Sequence, residues 1–328
     1  MRYLKRRCAG LAIALTFVSL AVSSAEENPL FLSPTGRLRT QAPLFQGGPH
    51  YFSAASGLVR NGKHFYVVAD DAQVLGYFRW GQAARVINIL QRPPLPANSS
   101  LRAKVKPDFE ALTLLEKEPG PSLLALCSGS GEYRDSAVYI PLSLDGKPAA
   151  RVEIDLKPLY DELRKRFSQL NVEGVAVVQD RVRLLQRGNS SKDPNAIIDL
   201  DLEAFLQAIK RERRVTSEVV REIKEIDLGS TEGRRGPVRW TFTDLCALED
   251  GKSVFTAAAE DTDNPYEDGE ILGSAIGVME LDGTISSFYR VKQKIKLEGV
   301  AVKGKTLYLV TDADDPKNPA VLYKVRMP

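Results

Sequence analysis

The chain has 328 residues, with 45 basic and 42 acidic side chains, two histidines and three cysteines, for a net charge of +3. A balance so near neutral, with no basic block interleaved with exposed aromatics, gives nucleic-acid binding no support. Three cysteines make no disulfide framework, and His50 and His64 have no cysteine nearby at zinc-ligand spacing.

Residues 1–25 come first in chain order. Arg2, Lys5, Arg6 and Arg7 precede an apolar run from Leu11 to Val22, and small residues lead to Ala25. That is the layout of a secretory signal peptide, and the apolar run is short for a bilayer span. The expectation is cleavage after Ala25 and a mature chain of residues 26–328, periplasmic or secreted, with no membrane span. Cys127 and Cys246, in apolar strand-like runs, would remain as buried free thiols.

Five later segments resemble one another: "ASGLVRNGKHFYVVADD" from Ala55, "FEALTLLEKEPGPSLLALCSGS" from Phe109, "VEGVAVVQDRVRLLQRGN" from Val172, "TDLCALEDGKSVFTAAAED" from Thr243 and "LEGVAVKGKTLYLVTDAD" from Leu297. Each is a short apolar strand, a turn and a second apolar strand, followed by further alternating runs such as "SAVYIPLS" and "SAIGVMELD". A recurring four-stranded unit is the propeller blade. The expected fold is therefore all-β: a single β-propeller of five four-stranded blades, with six open if a degenerate blade sits in the longer segments. "LFLSPTGRLR" (Leu30 to Arg39) would supply the strand missing from the last blade and close the ring against the C-terminal strands. Two helical insertions are expected, over Leu156 to Leu170 and Asp201 to Arg214, from apolar residues at helical spacing.

Aligned on acidic character, the repeats place Ser56, Glu110, Glu173, Asp244 and Glu298 at one level of the innermost strands. Fourteen residues on from three of these positions come Asp70, Arg187 and Asp312, with Asp71, Asn189, Glu260, Asp261, Asp314 and Asp315 nearby. Adjacent strands of a blade are antiparallel, so both sets should meet at one end of the central channel. Carboxylates crowded together need a counter-ion, and calcium accepts several oxygens with forgiving geometry. The candidate metal ligands are Glu110, Glu173, Asp244, Glu260, Asp261, Glu298, Asp312 and Asp314. Glu173, Glu298 and Arg187 are the candidate catalytic residues, and Lys106, Arg134 and Arg187 the candidate substrate-binding residues. Arg187 has a second reading, as a structural partner of Glu173 or Glu260. Asp-rich turns also occur for backbone reasons alone. No Gly-x-Ser-x-Gly elbow is present.

The motifs "KPDFEALTLL", "LNVEGVAVV", "FTDLCAL" and "KLEGVAV", from about Ser53 to Val325, resemble an uncharacterised bacterial β-propeller family. That family is loosely similar to phytase-like and esterase-like propellers. In calcium-dependent propeller phytases such carboxylates hold calcium ions that grip the phosphate. By motif the matching positions here are Glu173, Glu298, Asp312 and Asp314. The chain departs in having five repeats rather than six blades, and in basic residues that do not align.

The expected function is metal-assisted hydrolysis of a small anionic phosphoester or ester by an exported, monomeric propeller. The alternative is a non-catalytic module binding a cell-envelope glycan or protein. A tight carboxylate cluster beside an arginine favours the first. Dispersed acids beneath exposed aromatics, with Trp80 or Trp240 as the platform, favour the second.

Overall fold

The computed structural model describes residues 29–45, 47–96, 98–117, 120–188, 193–262, 269–313 and 315–327. Residues 1–25, Asn189 and Asp314 lie outside the described residues.

Strand β1 (Pro34–Arg37) opens the chain. The first blade is β2 (Ala55–Asn61), β3 (His64–Ala69), β4 (Val74–Phe78) and β5 (Arg85–Asn88). The second is β6 (Phe109–Lys117), β7 (Gly120–Cys127), β8 (Ser136–Pro141) and β9 (Val152–Asp155). The third is β10 (Val172–Val178), β11 (Arg181–Gln186), β12 (Asn195–Asp201) and β13 (Val220–Ile226). The fourth adds a strand: β14 (Ser230–Gly233), β15 (Gly236–Ala247), β16 (Ser253–Asp261), β17 (Glu270–Met279) and β18 (Ile285–Arg290). In the fifth, β19 (Lys296–Lys303), β20 (Thr306–Asp312) and β21 (Val321–Arg326) are completed by β1, which pairs antiparallel with β21. The fold is a five-bladed propeller, as the repeat indicated.

The apolar alternation of each strand feeds the gaps between blades rather than one central core. Five separate clusters fill them: around Tyr66 and Leu123 between blades one and two, Leu124 and Val175 between two and three, Phe242 and Leu185 between three and four, Val254 and Val300 between four and five, and Phe52 and Val310 between five and one. Helices α2 (Lys157–Arg164) and α3 (Leu202–Arg211) bury Leu159, Tyr160 and Leu163, and Phe205, Leu206 and Ile209, in the second of these clusters. Asp201 caps α3, its carboxylate accepting the Ala204 amide at 2.8 Å. Both helices are shorter than the expected spans, α2 starting beside Pro158. A third, α1 (Ser99–Val105), was not anticipated; Asn98 caps it through the Leu101 amide.

One local feature recurs in every blade. The register of the innermost strand against the second slips at the same place: after Ala55, Phe109, Val172, Phe242 and Leu297. A bulge of this kind bends a strand and re-aims the side chain it carries. The residues in the bulges are Ser56 with Gly57, Glu110, Glu173, Thr243 and Glu298. Around the axis the inner strands then approach closely. A Cβ on Gly57 would lie 2.6 Å from the Leu112 amide nitrogen, and one on Gly299 would lie 2.6 Å from the Ser56 carbonyl.

Candidate functional site

The bulge residues Ser56, Glu110, Glu173 and Glu298 line a funnel at one face of the disc. Its two adjoining chambers have volumes of about 820 Å³ and 230 Å³, with Asp70, Lys106, Glu110, Glu173, Arg187 and Lys296 common to both. The hairpin of β14 and β15 stands over the mouth through Arg235 to Arg239, and α1 borders it through Ala103 and Lys104.

Inside, acids and cations interleave. Arg187 is buried and splits its guanidinium between Glu173 at 3.2 Å and Glu260 at 2.8 Å, while its Nε donates to Thr241 at 3.2 Å. Asn171 donates to the same Glu173 oxygen at 2.6 Å. Lys296 lies 3.3 Å from Glu298 and 3.6 Å from Asp312. Lys106, following α1, pairs with Asp70 and with Asp108 at 2.8 Å. Asp108 also accepts from Arg134 at 3.0 Å, Ser128 at 2.5 Å and Ser130 at 3.1 Å. Ser56 donates to Glu110 at 2.7 Å, joining the first two blades.

The charges divide into held and unheld. Burial pushes Asp108 up, yet Lys106 and Arg134 together hold it below the ordinary aspartate range. Glu260 is likewise lowered, burial being outweighed by Arg187 and Lys296. Glu110 goes the other way: burial and the neighbouring Glu173, Asp108 and Asp70 raise it well above the usual value. Burial also raises Glu298, against the pull of Lys296, and one of its oxygens is buried without a hydrogen-bond partner. Burial raises Glu173 past the opposing effect of Arg187, and Asp71 is pushed up to about 6 by burial and Asp70. The funnel therefore sets carboxyls held below their ordinary range beside others raised above it. Environments that push neighbouring carboxyls apart in this way suit acid–base chemistry.

Asp70, Asp108 and Glu110 form an acidic triad that could hold a metal ion, each bringing an oxygen within 4.8 Å of the others. One Asp70 oxygen is buried and unpartnered, and carboxylate oxygens are the donors that calcium and magnesium prefer. Lys106 already neutralises two members, so a metal would have to displace its ammonium.

The sequence-derived residues fall into three groups. Glu110, Glu173, Arg187, Lys106, Arg134, Glu260, Glu298 and Asp312 line the funnel. Asp261 sits at its rim, one oxygen taken by the Arg234 amide at 3.0 Å. Asp244 does not line either chamber. Alignment on acidic character was off by one there: Phe242-Thr243-Asp244-Leu245 matches Phe109-Glu110-Ala111-Leu112, and Thr243 takes the bulge. Thr243 ties blade four to blade five through the Leu297 carbonyl at 2.7 Å. Asp244, fully buried, accepts the Val300 amide at 2.7 Å and the Leu58 amide at 3.5 Å, linking three blades at the axis. Burial still raises its carboxyl well above the usual range despite those amides. A raised folded value means stability retained at low pH and lost as pH rises through it. Asp244→Asn keeps an acceptor without the charge, so its urea midpoint should match wild type at pH 5 and exceed it at pH 8. A lower midpoint at pH 8 would show the carboxylate itself to be needed.

Arg187 has its structural role in place, whatever else it does. Asp108 and Lys296 were not picked out from the sequence. Asp108 lies in a loop at φ +60°, where strand periodicity gives no signal, although "KPD" ahead of "FEAL" is a turn signature. Lys296 reads as an ordinary strand start. The aromatic candidates pack elsewhere: Trp80 lies against Phe65 and Tyr308 with ring centroids 4.9 Å and 4.8 Å away, and Trp240 lies edge-on to Phe288 at 5.7 Å. Cys127 and Cys246 are free, and burial pushes both thiols up to about 12.

Fold and site together define a five-bladed propeller with a buried, mixed-charge funnel on one face. The chain belongs to a family of unknown function, DUF6929, which matches residues 51–327. No curated protein matches it. Among solved structures it is similar to Myxococcus xanthus glutaminyl cyclase, at 10% identity over 90% of this chain and 96% of that one with a TM-score of 0.47. It is also similar to MPT-1, a GDP-Man-dependent mannosyltransferase from Leishmania mexicana, at 8% identity over 89% and 88% with a TM-score of 0.45. A Cellvibrio cellulosa α-L-arabinanase complexed with arabinohexaose follows at 10% identity over 84% and 92%, TM-score 0.42. Likeness at this level transfers no activity. Among the described residues no helix is long and apolar enough to cross a membrane.

Proposed function

We propose that the funnel is a hydrolytic site for a small anionic ester or phosphoester, in a protein exported through its N-terminal segment. One observation carries the reading: blades one and four build the same bulge with Ser56 and Thr243. The blade therefore does not require Glu110, Glu173 and Glu298, although each buried charge costs several kcal/mol before pairing, by a rough general scale. Side chains that the fold can do without, gathered at one cavity with opposed proton affinities, are candidates for chemistry.

Asp70, Asp108 and Glu110 would hold a divalent cation, calcium or magnesium, which when bound supplies a Lewis acid for an ester or phosphoryl oxygen. Lys106 would then be released from the two aspartates to meet the anionic group of the substrate, with Arg134 on the far side of Asp108. Glu298, whose carboxyl burial raises well above the ordinary glutamate range, would give a proton to the leaving oxygen as water attacks the phosphorus or carbonyl carbon. Arg187 acts as a positioning residue that fixes Glu173 and Glu260, each of its three guanidinium nitrogens having a partner. The binding-module alternative loses its sugar platform, since no aromatic side chain lines the funnel among the described residues.

The test is a panel of chromogenic phosphoesters and carboxyl esters, with and without millimolar calcium. Glu298→Gln should lose turnover by about 100-fold or more while its melting temperature holds or rises. Wild-type turnover in that variant would remove Glu298 from the mechanism, and no turnover of any substrate would return the funnel to ligand binding.

A further inference from the structure

Away from the funnel, a groove of about 800 Å³ runs between blades one and two. The β2–β3 turn contributes Lys63, the end of β4 Arg79, the start of β5 Arg85, and the 143–147 loop of blade two Lys147. Against these four cations stands one carboxylate, Asp145, already 2.5 Å from Lys147. The side chains of Lys63, Arg79 and Arg85 make no ion pair or hydrogen bond among the described residues. Some exposed cations elsewhere do find acids: Arg221 takes Asp180 and Asp201, and Lys252 takes Glu280 at 2.9 Å. Arg85 and Lys147 are close enough to repel.

The groove is held in shape. Tyr66 donates to the Gly146 carbonyl at 2.6 Å across the blade boundary. Gly146 has φ +76°, and a Cβ there would fall 2.5 Å from the His64 Nδ1. The half-buried His64 thus lies against the 143–147 loop and lines the groove with the cations. Burial, Arg79 and Lys63 lower its pKa, against the smaller opposing pull of Asp145.

We infer that this groove is a second binding site, for a compact oxyanion such as a phosphate or sulfate group, held by Lys63, Arg79 and Arg85. Cations lining one groove with a single carboxylate among them are stabilised by an external anion, and a guanidinium fork matches oxyanion geometry. The oxyanion can come from solution or from a lipid headgroup, for which the fully exposed Leu144 at the lip would provide an apolar contact.

The two histidines of the chain make the test direct, since His50 serves as an internal control. Proton NMR titration should show the His64 pKa rising by about half a unit or more when sulfate replaces chloride at constant ionic strength, with His50 unmoved. Sulfate keeps its charge across that pH range. Arg79→Gln combined with Arg85→Gln, both exposed and unpaired, should abolish the rise without changing the melt. Headgroup supply would give the same rise with phosphatidylglycerol vesicles, weakened by Leu144→Ser; supply from solution would give it with sulfate alone. No rise with either probe, an equal rise at His50, or a rise that survives the double substitution would overturn the inference.

Discussion

Arg187→Ala should destabilise the protein by about 3–5 kcal/mol at pH 7.5, read from urea denaturation, because it leaves two buried carboxylates without their cation. This side chain bridges Glu173 and Glu260, at 3.2 and 2.8 Å. With it gone, burial acts on both against the smaller pull of Lys296, so Glu173 rises further above its unfolded value and Glu260 is no longer held low. Stability is then retained below the ordinary glutamate range and lost as pH rises through the shifted values. The penalty should therefore shrink towards pH 5. Adding Glu173→Gln and Glu260→Gln to Arg187→Met should restore most of the loss at pH 7.5, since none of these three charges remains. A penalty equal at both pH values would mean that Arg187 matters through packing rather than charge.

The propeller could be read from the sequence because its signal is local and repeated. Each inner strand pair lies within one short segment, so "LEGVAVKGKTLYLV" carries strand, turn and strand together. What escaped were elements with weak periodicity. Helix α1 is seven residues of mixed character, and the β14–β15 hairpin comes from "STEGRRGPVR", polar and glycine-rich. The site was legible as a level of carboxylates but not as a balance of charges. Lys106 meets Asp70 from 36 residues away, and Arg187 meets Glu260 from 73, separations at which a single sequence gives no pairing. The misplacement of Asp244 has a simpler cause: acidity was matched where the apolar frame of Phe242 and Leu245 sets the register.

Glu110→Ser combined with Glu298→Thr should abolish hydrolysis and metal binding yet leave the fold intact. It gives blades two and five bulge residues of the kind that blades one and four already carry. Both glutamates have raised folded values, so their burden on the native state grows as pH rises, and removing them should help most in alkaline solution. Calcium needs Glu110 as a carboxylate and the Glu110 carboxyl is raised, so the stabilising effect of calcium should be larger at pH 8 than at pH 5.5.

The thermal melt of this double variant beside the wild type at pH 8, in EDTA and then in millimolar calcium, tests the central claim most directly. If the funnel glutamates serve a ligand rather than the blades, the variant melts at or above the wild-type temperature in EDTA. Calcium then raises the wild type by mass action and leaves the variant unmoved. A variant that melts several degrees lower in EDTA, or that keeps the full calcium shift, would show that the glutamates hold the blades together or that the metal binds elsewhere.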